Sequence, residues 1–320
     1  MKQFRKLMAI AGTTSRELVR SPAFAILVGA AAAVAALSPM FAFFHLGEEE
    51  KMVVDLGLGT ALVAGLIVGI LGASWAVNEE LESLSALAVL AKPVSRTSFL
   101  VGKYLGVLAA ATVAVAVPGF SLLFTLRAIG PDAGLFWIAV AVGAAAALGG
   151  AVVFMRRGAP ARAALVGSIA AAAALVLVVL DSHGPLAWGG VEVAGWWWSI
   201  VPALLGVVLQ VAVLAAVAVA LATRVSLAAN LPIVLAVFVL GQLAGGSGAE
   251  VGARAWLSYV MPNLVAFQFS DRVAEHISKG GDGAVAVPGG VLLAAVAVAL
   301  AYVLGALTVG SALFGRRDME

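Results

Sequence analysis

The 320-residue chain contains no cysteine, which excludes disulfides, thiolate metal sites, iron–sulfur clusters and cysteine nucleophiles together. Histidine is almost as scarce: His45, His183 and His276 are the three present, and their wide separation does not give the spacing of a metal-ligand set. Charge is the third shortage. Only 11% of residues are Asp, Glu, Lys or Arg, against about 25% in a soluble domain. The hydrophobic share is 63% and the mean hydropathy +1.10, so a water-soluble globule is excluded and the bilayer is the expected solvent. A net charge of +2 and a pI near 9.1 arise from few groups and give no argument for nucleic-acid binding.

What is present is a series of long apolar runs. A helix needs about 20 apolar residues to cross the hydrocarbon core, and runs of that length, charge-free apart from Lys103, cover 23–46, 56–77, 99–126, 196–223, 225–244 and 285–314. Two more, 134–155 and 163–180, flank the basic turn Arg156, Arg157 and Arg162 and bring the expected number of spans to eight. The fold class is therefore all-α, a polytopic membrane helix bundle. Strands of such length are excluded, since strands usually end after about 5–6 residues. With eight spans both termini share a side, and that side collects fourteen of the nineteen basic residues, leaving Lys51, Arg127, Arg254, Arg272 and Lys279 opposite. Cytoplasmic loops gather Lys and Arg, so both termini are expected in the cytoplasm of an inner-membrane, multi-pass protein, with the loop 245–284 outside.

Residues 1–22 do not read as a secretory signal, because polar residues run up to the first span and no cleavage site follows a short apolar stretch. They read as an amphipathic surface helix: Phe4, Leu7, Met8, Ala11 and Leu18 share one face, and Lys2, Arg5, Lys6, Arg16 and Arg20 the other. Ser21 and Pro22 suit an N-cap and first helical position for the span that follows.

The spans lack interior Asp, Glu and Arg, and Lys103 lies near one end of its run. Ion-coupled carriers and proton relays use such groups near mid-membrane, so a self-powered carrier is disfavoured. The interior polar residues are mild: Thr112, Ser121, Gln210, Asn230 and Gln242. Packing between helices is their expected role, with a path lined by Gln210, Asn230 and Gln242 as the functional alternative. Pro118, Pro202 and Pro232 fall inside runs and remove backbone bonds, so each is a bend, and Pro118 a candidate gating hinge. Glycines recur four apart at Gly65/Gly69, Gly102/Gly106 and Gly241/Gly245, which lets helix backbones approach.

The chemistry-bearing stretch lies between the second and third runs, Asn78-Glu-Glu-Leu-Glu-Ser-Leu onward to Lys92-Pro-Val-Ser-Arg96, then Leu100-Val-Gly-Lys-Tyr-Leu-Gly106. Glu79, Glu80 and Glu82 are expected in the first turn of a short helix, where acids suit the dipole. Leu81, Leu84, Ala88 and Ala91 form its apolar stripe, and Pro93 ends it beside Lys92 and Arg96. Such a helix across the mouth of a bundle offers a surface to a soluble partner.

These residues resemble the permease subunits of type-2 ATP-binding-cassette (ABC) transporters, in which an acidic pair precedes a Leu-rich stretch, Lys/Arg-Pro-Val-Ser-Arg and Leu-x-Gly-Lys-x-Leu-Gly. The N-terminal helix is similar to that family's elbow helix, Tyr259-Val-Met-Pro262-Asn263-Leu-Val-Ala-Phe267 to its outer-loop segment, and Phe314-Gly-Arg-Arg-Asp318 to its terminus. The likeness covers roughly 1–125 and 196–320; residues 127–195 depart from it as an inserted hairpin in a six-span plan. The resemblance implies domains at 1–22 (elbow helix), 23–126 (three spans with a coupling helix at 78–97), 127–195 and 196–320. It implies that Glu79, Glu80, Glu82, Leu84, Lys92, Pro93 and Arg96 dock on a cytoplasmic ABC ATPase, and that a second permease copy, identical or different, completes the pathway.

The chain carries no Gly-x-x-x-x-Gly-Lys-Ser/Thr phosphate loop, since Gly102-Lys103 is followed by Tyr104. It is therefore expected not to be an enzyme and to hold no cofactor of its own, with ATP and Mg on the partner. The competing readings are a stand-alone carrier and a non-transporting scaffold or assembly factor. In the outer loop, Trp256, Tyr259, Phe267 and Phe269 are expected to anchor at the membrane interface, with cargo contact as the alternative.

Overall fold

The computed structural model describes residues 2–42, 49–82, 96–129, 200–245, 261–278 and 287–315. Among the described residues there is no strand. The described helices are α1 (Lys2–Arg20), α2 (Pro22–Ala42), α3 (Glu49–Glu82), α4 (Arg96–Ile129), α5 (Ile200–Ala222), α6 (Leu227–Gly245), α7 (Ser270–Ser278) and α8 (Gly289–Gly315), with a 3-10 turn at Val265–Phe267. Six of them, α2 to α6 and α8, are long and apolar enough to cross a membrane. The chain is thus an all-helical, multi-pass membrane protein. These six match the six uninterrupted apolar runs, since a backbone in lipid must satisfy its own hydrogen bonds within a helix. The two further runs, 134–155 and 163–180, lie outside the described residues.

The bundle has an inside and an outside. In α3, α4 and α5, 61%, 50% and 67% of the spanning stretch is buried, against 28%, 22% and 22% in α2, α6 and α8. The outer helices instead display Ile26, Met40, Val239, Leu293 and Leu304, as lipid permits because its tails are as apolar as these side chains. Small residues hold the inner three together. A Cβ on Gly65 of α3 would strike Val115 of α4 and lie 3.0 Å from Val211 of α5, and one on Gly119 of α4 would come within 2.7 Å of Leu204 of α5.

At one end, α1 turns into α2 at Ser21. The Ser21 hydroxyl accepts from the Phe24 N–H (3.2 Å) and donates to the Leu18 carbonyl (2.8 Å), so one side chain caps the start of α2 and closes the end of α1. Pro22 supplies the fixed φ of a first helical position. α1 then lies chiefly along α4. Its seat is the glycine pair of α4: a Cβ on Gly102 would come 3.0 Å from Ile10, and one on Gly106 2.7 Å from the Ala11 carbonyl and from Thr14. Ile10, Thr14 and Leu18 therefore face the bundle, while Phe4 and Met8 stand exposed beside the basic residues.

A Gly106→Val substitution is expected to lift α1 from its seat and cost about 1–3 kcal/mol, because the clash is with backbone that cannot rotate away. Chemical unfolding in mixed micelles measures the loss; an unchanged midpoint would refute the seating.

Candidate functional site

Both polar assemblies of the described residues sit at the ends of the bundle. At the α1 end, α3 finishes and α4 begins, so the segment 83–95 leaves from and returns to this end. Glu79, Glu80 and Glu82 occupy the last turn of α3 rather than the first turn of a separate helix. Nothing between Asn78 and Glu82 breaks a helix, and Glu and Leu favour one, so α3 runs past its apolar stretch. Arg96 is the first residue of α4. Leu84, Lys92 and Pro93 lie outside the described residues.

Just inside these residues, side chains tie α3 to the turn between α5 and α6. In the orientation that satisfies both its polar atoms, the Asn78 carboxamide donates to the Ala222 carbonyl (2.7 Å) and accepts from the Leu227 N–H (3.3 Å). One turn deeper, the fully buried Asn230 donates to the Ser74 hydroxyl (2.6 Å) and the Ala218 carbonyl (3.1 Å). Its Oδ1 has no partner among the described residues. Ser74 itself donates to the Ile70 carbonyl at 3.0 Å.

The same end gathers the end of α8. Exposed Arg224 donates from Nε (3.1 Å) and Nη2 (2.7 Å) to the Leu313 carbonyl, covering a backbone acceptor that the helix leaves open at its C-terminus. Phe314 stacks on Phe99 with centroids 6.1 Å apart, and the buried Lys103 Nζ lies 5.7 Å from the Phe99 ring centre. Tyr104 donates to the Ala212 carbonyl of α5 at 3.3 Å. The run Phe99 to Gly106 is thus a junction where α4 meets α1, α5 and α8.

The opposite end is closed by the described part of the 245–284 loop. Gln210, buried in α5, donates to the Leu264 carbonyl at 2.7 Å. The Leu264 N–H donates to the Gly241 carbonyl at 3.3 Å. Pro262 is buried with its carbonyl against Gly241, Asn263 lies against Gly245 and accepts from the Ala266 N–H, and the Phe267 carbonyl presses on Gly206. Phe267 and Phe269 are 1% and 3% exposed, so they pack inside the protein instead of lying at its surface as interfacial anchors do. The Phe269 ring lies over Gly206 of α5. α7 then packs on α3, with Lys51 paired to Asp271 at 3.8 Å. Beneath lies a cavity of about 190 Å³ walled by Asp55, Leu58, Gln210, Phe267, Gln268 and Ser270 among others. Tyr259 and Trp256 lie outside the described residues.

The polar residues of the spans do not form one line. Gln210 reaches the loop-end cavity, Asn230 belongs to the α1 end, and Gln242 is half-buried. Ser121 donates to the Ala32 carbonyl of α2 (2.8 Å) and Thr112 to its own helix (2.8 Å). Pro118 is buried within a continuous α4, and Pro232 lies inside α6. Pro202 is the third residue of the described part of α5, and the residues before Ile200 lie outside the described residues. Sequence reasoning passed over Ser74, the tie made by Asn78 and the two hydrogen bonds from Arg224, because the only signal was a polar residue at the end of an apolar run.

No protein-family model matches this sequence, and no curated protein matches it.

Proposed function

We propose that this chain is the permease subunit of an ABC transporter, working as an exporter driven by a separate cytoplasmic ATPase, with the segment 79–96 as its coupling element. The observation that carries the reading is where this segment is rooted. It joins α3 to α4, two of the three inner helices, and Asn78 and Asn230 bind its first root to the α5–α6 turn. A push on 79–96 therefore acts on the inner bundle as a unit, as nucleotide-driven tilting between two states requires. The resemblance of Lys92 to Arg96 and of Gly102-Lys103 to the type-2 permeases supports the same reading. The chain supplies half of the pathway, a second copy supplies the rest, and the ATP and Mg chemistry stays on the partner. Both termini and the 79–96 segment face the cytoplasm in this reading, and residues 127–195 add a hairpin to the six-span plan.

The test is affinity capture of the tagged full chain in mild detergent, comparing wild type with an E80A/E82A/R96A variant. The expected result is an ABC ATPase with the wild type and about tenfold less of it with the variant, equivalent to ~1.4 kcal/mol of docking. Absence of any ATPase from folded wild type would overturn the reading and favour a lone carrier. Recovery of an ATPase whose turnover the chain does not stimulate in liposomes would favour a scaffold.

A further inference from the structure

We infer that the groove at the corner of α1 and α2 holds one anionic phospholipid of the surrounding bilayer, its acyl chain in the groove and its phosphate at Arg16 and Arg20. The groove has a volume of about 530 Å³, inside the roughly 300–1,000 Å³ range of ligand sites. Leu18, Phe24 and Leu27 wall one side, Val68 and Trp75 of α3 another, and Leu227 of α6 a third. Its polar lining group is the hydroxyl of Ser21, already engaged by the Phe24 N–H and the Leu18 carbonyl. Such a surface accepts hydrocarbon and offers nothing to a polar cargo.

Two features direct a lipid there. The rim residues Leu71, Trp75 and Leu227 are 39%, 44% and 46% exposed, so the groove opens outward between helices that face lipid. An indole at such a rim places its ring at the boundary between chains and headgroups. The charge that α1 brings to the groove is mainly basic. Arg20 adjoins Ser21, Arg16 lies one turn back on the same face, and both are exposed. α1 carries five basic residues against Glu17 alone. A phosphate without its own cation complements this field, whereas a zwitterionic headgroup brings an ammonium into it.

The test uses the full chain in phosphatidylcholine vesicles with increasing phosphatidylglycerol, bromine being placed on the acyl chains of one lipid or the other. Trp75 is one of seven tryptophans, so its quenching is read as the difference between wild type and Trp75→Phe. Bromine on phosphatidylglycerol is expected to quench Trp75 with a relative binding constant of about fivefold or more over phosphatidylcholine, from about 1 kcal/mol per surface arginine. The R16Q/R20Q variant, exposed and outside the packing, is expected to bring that ratio near one. Ala23→Phe, which fills the groove, is expected to reduce quenching by both lipids. A wild-type ratio of one would overturn the headgroup assignment. Quenching unchanged by Ala23→Phe would remove the chain from the groove. Neither readout involves an ATPase, so this inference and the transport reading fail separately.

Discussion

Asn230→Asp is expected to lower stability by about 3–5 kcal/mol, the cost of leaving a buried charge uncompensated, although it changes the side chain by one heavy atom. Asn230 is fully buried, and both of its observed bonds are donated, to the Ser74 hydroxyl and the Ala218 carbonyl. A carboxylate donates nothing and would face the Ala218 oxygen at close range. The nearest hydroxyl, on Ser74, is already committed to Ile70. Asn230→Leu separates the two components, since it removes the hydrogen bonds without adding charge and is expected to cost only roughly 1 kcal/mol, as interhelical bonds in membranes do. Thermal unfolding in detergent compares the three proteins. Equal losses for the two variants would show that position 230 is not enclosed as described.

Gly206→Val is expected to release the loop that closes the opposite end, with a smaller effect on the bundle beneath it. A Cβ at Gly206 would strike the Phe267 carbonyl, which is backbone, and lie 2.9 Å from the Phe269 ring. Because the chain has no native cysteine, a single Val273→Cys marker in α7, at a position with no exposure, reports the opening directly. Maleimide labelling of that marker is expected to rise about tenfold or more in the Gly206→Val background, the equivalent of ~1.4 kcal/mol spent on a local opening. Unchanged labelling would mean that Phe267 and Phe269 are not what holds the loop.

The two variants fall at opposite ends, and the ends were not equally legible. The glycine pairs were visible as a spacing, but the spacing did not say what each pair receives. Gly102 and Gly106 seat a helix outside the spans, whereas Gly241 and Gly245 receive a loop through Pro262 and Asn263. The aromatic pair Phe267 and Phe269 was expected at the membrane interface because aromatics gather there, yet both are buried, with the Phe267 carbonyl and the Phe269 ring against Gly206. Glu79 to Glu82 were expected to open a new helix, yet they complete α3, because apolar patterning marks the edge of the bilayer and not the end of a helix. The run from Phe99 to Gly106 drew attention as a resemblance, and packing supplies an independent reason for its residues: Gly102 and Gly106 for α1, Tyr104 for α5, Phe99 for α8.

Sequence alone determined that this is a helical membrane protein, where its six uninterrupted spans run and that α1 restarts as α2 at Ser21. Each of these is set by hydropathy over about 20 residues or by capping within four, interactions that are local in the chain. Tertiary structure decided which three helices are inside, that Asn78 and Asn230 tie α3 to the α5–α6 turn across some 150 positions, and that the loop-end cavity meets Gln210. In lipid an apolar helix costs no more facing outward than inward, so hydropathy cannot rank the helices, and close packing of small residues with a few paired polar groups does.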